Sequence, residues 1–77
     1  MSYTFRTIIE KDGKHFHGYV PSLLGCHTFG KTIEETQKNL ANAISLYLQS
    51  LVKDKLPIPD ENSFESFQTI LLPKQYA

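Results

Sequence analysis

The segment that most restricts this chain's architecture is Thr32-Ile33-Glu34-Glu35 and the periodic run behind it. Thr32 and Glu35 have capping-box spacing, in which the hydroxyl accepts from the amide three residues on and the carboxylate reaches back. Ile33, Leu40, Ile44, Tyr47, Leu48 and Leu51 then fall on one helical stripe, with Ala41 and Ala43 beside it. Glu34 and Lys38 stand at i, i+4 in the stabilising order. Pro57 bars continuation, so the pattern predicts a helix from about Ile33 to about Lys53, with Leu46 on its polar face. In 77 residues there is room for one such helix, which must bury its stripe against something built from short elements.

Those short elements are strands. Tyr3, Phe5, Thr7 and Ile9 alternate with Thr4, Arg6, Ile8 and Glu10, the period of a half-buried strand. Asp12-Gly13 is a preferred pair for a two-residue hairpin turn. With that turn, Glu10 opposes His15, Ile9 opposes Phe16, Ile8 opposes His17 and Arg6 opposes Tyr19. Phe5, Ile9, Phe16 and Val20 then share one face; Arg6, Ile8, Glu10, His15, His17 and Tyr19 share the other. A one-residue slip would scramble this sorting. Pro21 closes the second strand, and Ser22-Leu23-Leu24-Gly25 connects to a short third strand, Cys26-His27-Thr28-Phe29, ended by Gly30. Whether Cys26 with Thr28 or His27 with Phe29 points inward is open at this level.

Beyond the helix, Leu56-Pro57-Ile58-Pro59-Asp60 reads as an extended linker. From Phe64 to Leu72 the alternation returns, Phe67, Thr69 and Leu71 against Gln68, Ile70 and Leu72. Apolar residues on both sides predict a strand that is central or covered on both faces. The expected fold is α+β, in the order β-β-β-α-β. It is a mostly antiparallel sheet with one helix on one face, forming a single domain over residues 1–77. The helix crosses over so that the last strand can lie parallel to an earlier one.

Eight Lys and Arg balance eight Asp and Glu, and no basic run marks a nucleic-acid interface, so direct nucleic-acid binding is not expected. No signal-peptide pattern and no bilayer-length apolar stretch is present, which predicts a soluble, cytoplasmic domain. The lone Cys26 allows no internal disulfide. At this size a chain buries only about 60% of the surface exposed when unfolded, so a homodimer or higher homo-oligomer is favoured.

His15 and His17 project from one strand face and His27 is within reach, a combination compatible with zinc. Against that stands the simpler reading of a Glu10–His15 ion pair on a solvated face. Cys26 lacks a cationic neighbour on its own side and reads as structural. Glu34 and Glu35 suit a helix start, and the four isolated glycines form no phosphate loop. The composition points to no catalytic residues, no cofactor and no metal. One helix cannot cover both sheet faces. This leaves Arg6, Ile8, His17 and Tyr19, a mixture with the make-up of an interface, as the candidate partner-binding strip.

Tyr19-Val20-Pro21-Ser22-Leu23-Leu24-Gly25-Cys26, followed by Gly30-Lys31-Thr32-Ile33-Glu34-Glu35, resembles the HicB-like antitoxin family. The match continues through Asn39, Ala43, Ile44, Tyr47 and Leu48 to Leu56-Pro57-Ile58-Pro59, spanning roughly residues 3–73. Thr36 replaces the family's alanine, and Leu24 replaces a frequent second proline. The resemblance implies a partial RNase H-like fold without that fold's metal-binding carboxylates, and a non-enzymatic antitoxin that covers the active site of a HicA-type mRNA-cleaving toxin. Many members carry a C-terminal DNA-binding domain, which is not expected here because few residues follow the last strand. The alternative is a regulatory domain that binds a metal or small ligand through His15, His17 and His27. A nuclease with a degenerate site is a third reading, weakened by the missing carboxylates.

Overall fold

The structure is a computed structural model that describes residues 2–59 and 66–76. Its elements are β1 (Ile8–Asp12), β2 (His15–Tyr19), β3 (His27–Gly30), α1 (Ile33–Lys53) and a single 3-10 turn at Lys74–Tyr76. The three strands form one antiparallel sheet in the order β1-β2-β3, with α1 against one face. The fold is therefore α+β, as the patterning implied. Among the described residues, no helix is long and apolar enough to cross a membrane.

The hairpin forms with a register two residues away from the expected one. Ile8 lies opposite Tyr19, Ile9 opposite Gly18, Glu10 opposite His17 and Asp12 opposite His15. The turn is Gly13-Lys14 rather than Asp12-Gly13. Gly13 has φ +63° while Lys14 is not in the left-handed region, which matches a turn with glycine at its first central position. A shift of two keeps every side chain on its expected face, so only the pairings change. The expected Glu10–His15 and Arg6–Tyr19 pairs are replaced.

The first strand is also shorter than the alternation suggested, because its partner runs out. Val20 N–H donates to the Cys26 carbonyl (3.2 Å), while the Val20 carbonyl accepts from Leu23 N–H (3.1 Å). Pro21 has no N–H to offer. Residues 2–7 thus precede the sheet without strand pairing, although Phe5 still packs against the core.

Val20, Leu23, Cys26 and Leu40 form that core, with Ala43, Ile44, Tyr47 and Leu48 packed around it. Leu23 comes from the β2–β3 connection, where Cys26 N–H closes a turn onto the Leu23 carbonyl (3.0 Å). Gly25 supplies that turn's positive φ (+81°). The Tyr47 hydroxyl donates to the Leu24 carbonyl (3.0 Å), tying the same loop to α1. The core side at β3 resolves as Thr28 and Gly30, with Cys26 just before the strand, since His27 pairs with Tyr19 and Phe29 with His17 on the opposite side.

α1 starts as expected, with Glu35 N–H donating to Thr32 Oγ1 (3.0 Å). One turn later Thr36, fully buried, donates its hydroxyl to the Thr32 carbonyl (2.7 Å). At the other end Leu56 N–H bonds to the Leu51 carbonyl (2.9 Å) and Lys55 N–H to the Val52 carbonyl (3.1 Å). This is the paired-bond arrangement of a Schellman terminus. Lys55 sits at its left-handed position with φ +58°, where a Cβ is disfavoured. Replacing Lys55 by glycine is expected to raise stability by about 0.5–1 kcal/mol, net of the extra freedom glycine brings to the unfolded chain. An increased urea midpoint at unchanged slope would register it.

The last strand requires a correction. Phe64 and Glu65, its expected start, lie outside the described residues, as does Asp60 at the linker's end. Residues 66–72 belong to no strand. Phe67 is 98% exposed and Leu71 94% exposed, with Ile70 and Leu72 also open. The alternation is real, but no layer among the described residues covers it.

Candidate functional site

With the helix on one side, no other described element packs against the opposite sheet face. It carries Ile8 and Glu10 from β1, His17 and Tyr19 from β2, and His27 and Phe29 from β3, each placed by strand alternation and the two registers. His17 is the centre of the array. Its ring stacks on Phe29 across the strand (centroids 4.7 Å, interplanar 28°) and on Tyr19 along it (5.6 Å, 25°). His27 meets His17 edge-on at 5.4 Å and Phe29 at 6.1 Å. These separations are those of attractive aromatic contacts, so the four rings form one connected layer.

A carboxylate borders the layer. The Tyr19 hydroxyl donates to Glu10 Oε1 (3.2 Å), a diagonal contact across the hairpin. Partial burial raises the Tyr19 pKa, as do the negative charge and hydrogen bond of Glu10, while the Arg6 charge acts in the opposite direction. Tyr19 therefore stays a neutral donor at physiological pH. The opposing effect of Arg6 shows that its charge reaches Tyr19 even though Arg6 lies before β1.

Of the strip singled out from sequence, Ile8, His17 and Tyr19 come together on the open face, and Arg6 flanks it from residues 2–7. Phe29, His27 and Glu10 complete the array but were not in that strip. Phe29 was missed because the orientation of β3 was undecided. The small residues Cys26, Thr28 and Gly30 were the available signal, since only small side chains let a helix approach so closely. A hollow of about 370 Å³ lies at the loop end of this face, bordered by Tyr19, His27 and Leu24. Leu24 projects there with 91% of its surface exposed.

The three histidines do not form a ligand set. Among the described residues no group of three or more His, Cys, Asp or Glu side chains is placed to hold a metal ion. Cys26 lies on the other side of the sheet, buried, and burial pushes its thiol pKa upward. The thiolate fraction at pH 8 is thus lower than for a free thiol. Alkylation by iodoacetamide at that pH is expected to be several-fold slower in the native protein than after denaturation, because the buried thiol is both less ionised and less accessible. The linkage follows the same sign. This burial supports stability below the ordinary thiol pKa and ceases to do so as pH rises through the elevated folded value.

Fold and face together define a small α+β domain with one sheet surface uncovered. The model of the HicB-like antitoxins of bacterial toxin-antitoxin systems matches residues 5–72, so the chain belongs to that family. It is 40% identical over 62 residues to a UPF0150 protein of Synechocystis sp., covering 78% of this chain and 77% of that protein. A UPF0150 protein of Thermoplasma acidophilum is 40% identical over 65 residues, covering 84% and 93%. Among solved structures, the N-terminal domain of the Burkholderia pseudomallei antitoxin HicB matches with a TM-score of 0.68 at 28% identity, covering 78% of this chain and 72% of that one.

Proposed function

We propose that this chain is a non-enzymatic antitoxin that acts in the cytoplasm by covering the active site of a HicA-type mRNA-cleaving toxin. The observation that carries this reading is the uncovered ring layer of His17, Tyr19, His27 and Phe29, present in a member of an antitoxin family. Aromatic residues beside a charged pair are the composition of interface hot spots. Here Tyr19 and His17 form the apolar centre, Ile8 extends it across β1, and Arg6 and Glu10 supply charge at the margin. The role needs steric cover rather than chemistry, which suits a face without an activated nucleophile or a metal-ligand set among the described residues.

The test starts with affinity capture of the tagged chain from its native lysate. The expected result is a stoichiometric small basic protein whose RNA cleavage stops when this chain is added. With that partner in hand, Arg6→Glu combined with Tyr19→Ala is expected to weaken binding at least tenfold, about 1.4 kcal/mol. Unchanged affinity would show that the toxin is held elsewhere. Recovery of no ribonuclease partner would count against the antitoxin role itself.

A further inference from the structure

Two surfaces of the same chain are left incomplete on its inner side. The first is residues 66–72, which belong to no helix or strand and expose Phe67, Ile70, Leu71 and Leu72. The second is the β1 side of the helix–sheet layer. There β1 is an edge strand, bonded among the described residues to β2 alone, and two grooves open between residues 2–7 and α1. One of about 510 Å³ is lined by Tyr3, Ser45, Leu48, Val52 and Ile58; the other, of about 220 Å³, by Thr7, Leu40 and Ile44. On the β3 side, helix and strand are in direct contact. Gly30 lies directly against Thr36, and Asn39 Nδ2 donates to the Phe29 carbonyl (2.8 Å).

We infer that residues 66–72 of one copy dock along the β1 side of a second copy, reciprocally, so that each chain supplies the strand missing from the other. The segment has the attributes the slot requires. Docked as a strand, its alternating apolar residues would face both ways, one set toward the helix side and one toward the sheet edge. The open edge of β1 offers backbone partners to whatever lies beside it. Seating the four side chains twice over buries on the order of 1,000 Å² of apolar surface, which is within reach of a specific interface. The chain's own segment does not fill its own groove. The radius of gyration is 16.3 Å, against about 11–12 Å for a compact chain of this length. The exchange uses the inner layer and the β1 edge, so it leaves the outer ring layer free and stands or falls independently of the toxin reading.

Sedimentation velocity of the full chain at micromolar concentration is expected to give twice the chain mass. Phe67→Asp with Leu71→Asp should return it to the single-chain mass with the helical circular dichroism retained, because both side chains are almost fully exposed in the single chain. Two further chains, Ser45→Cys and Ile70→Cys, each in a Cys26→Ser background, should form a mixed disulfide when combined under mild oxidation. A wild-type mass of one chain overturns the inference, as does a dimer that survives the double aspartate variant. A disulfide that forms only within a chain carrying both cysteines would also overturn it, by showing that the segment folds onto its own groove.

Discussion

Gly30→Ala is expected to destabilise the domain by about 3 kcal/mol or more, at the upper end of overpacking costs. A Cβ at position 30 would stand 2.7 Å from the Thr36 amide nitrogen and 3.0 Å from its Cα, and closer still to the Thr36 hydroxyl. Backbone cannot rotate out of the way, so the first turn of α1 must lift from β3, and with it the Asn39–Phe29 tether. Gly18→Ala makes an informative contrast. Its Cβ would meet only the ends of side chains, Thr36 Cγ2 at 2.9 Å and Leu40 Cδ2 at 3.3 Å. A loss of about 1–2 kcal/mol is expected there. Thr36→Ser removes the offending methyl while keeping the hydroxyl, and should recover part of the Gly18→Ala loss but none of the Gly30→Ala loss. Urea titration of the two double-mutant cycles checks both; equal rescue would show that the helix slides rather than clashes.

Leu23→Ala is expected to cost about 3 kcal/mol, although Leu23 belongs to a connection rather than to a strand or helix. Its side chain is 1% exposed and sits among Val20, Cys26 and Leu40. In so small a core, one leucine is a large share of the buried apolar volume. The loss should extend beyond the cavity, because two turns hinge on Leu23: its N–H reaches the Val20 carbonyl and its carbonyl takes the Cys26 N–H. Leu24→Ala, one residue on and 91% exposed, should shift the unfolding midpoint very little. If both substitutions proved mild, the connection would not be part of the core.

The helix was legible because its determinants are local: Thr32 caps it, a stripe runs through it, and the chain turns before Pro57. The outer-face membership of Ile8, His17 and Tyr19 was legible for a different reason. Strand side chains alternate with period two, so a register error of two residues leaves the faces intact. The pairings themselves were not legible, since Asp12-Gly13 and Gly13-Lys14 both satisfy a two-residue loop, and only the second places Gly18 opposite Ile9 beneath Thr36 and Leu40. The orientation of β3 depends on how closely α1 approaches at Gly30, a tertiary distance that a four-residue alternation does not encode. The same holds for residues 66–72. Their alternation predicted a strand covered on both faces, whereas these residues are exposed and belong to no strand; alternation records which residues could share a face, not whether anything packs against that face.

The bond from Asn39 Nδ2 to the Phe29 carbonyl affects more than helix–sheet packing. It fastens, from behind, the backbone of the strand whose ring stacks on His17 at the front. On the proposed antitoxin reading, a ring layer braced in this way would lose less side-chain freedom when a partner docks on it. Association should proceed as near rigid-body docking. On that reading, a partner would have to fit the spacing already set by the rings rather than mould it, which favours selectivity over raw strength of attachment.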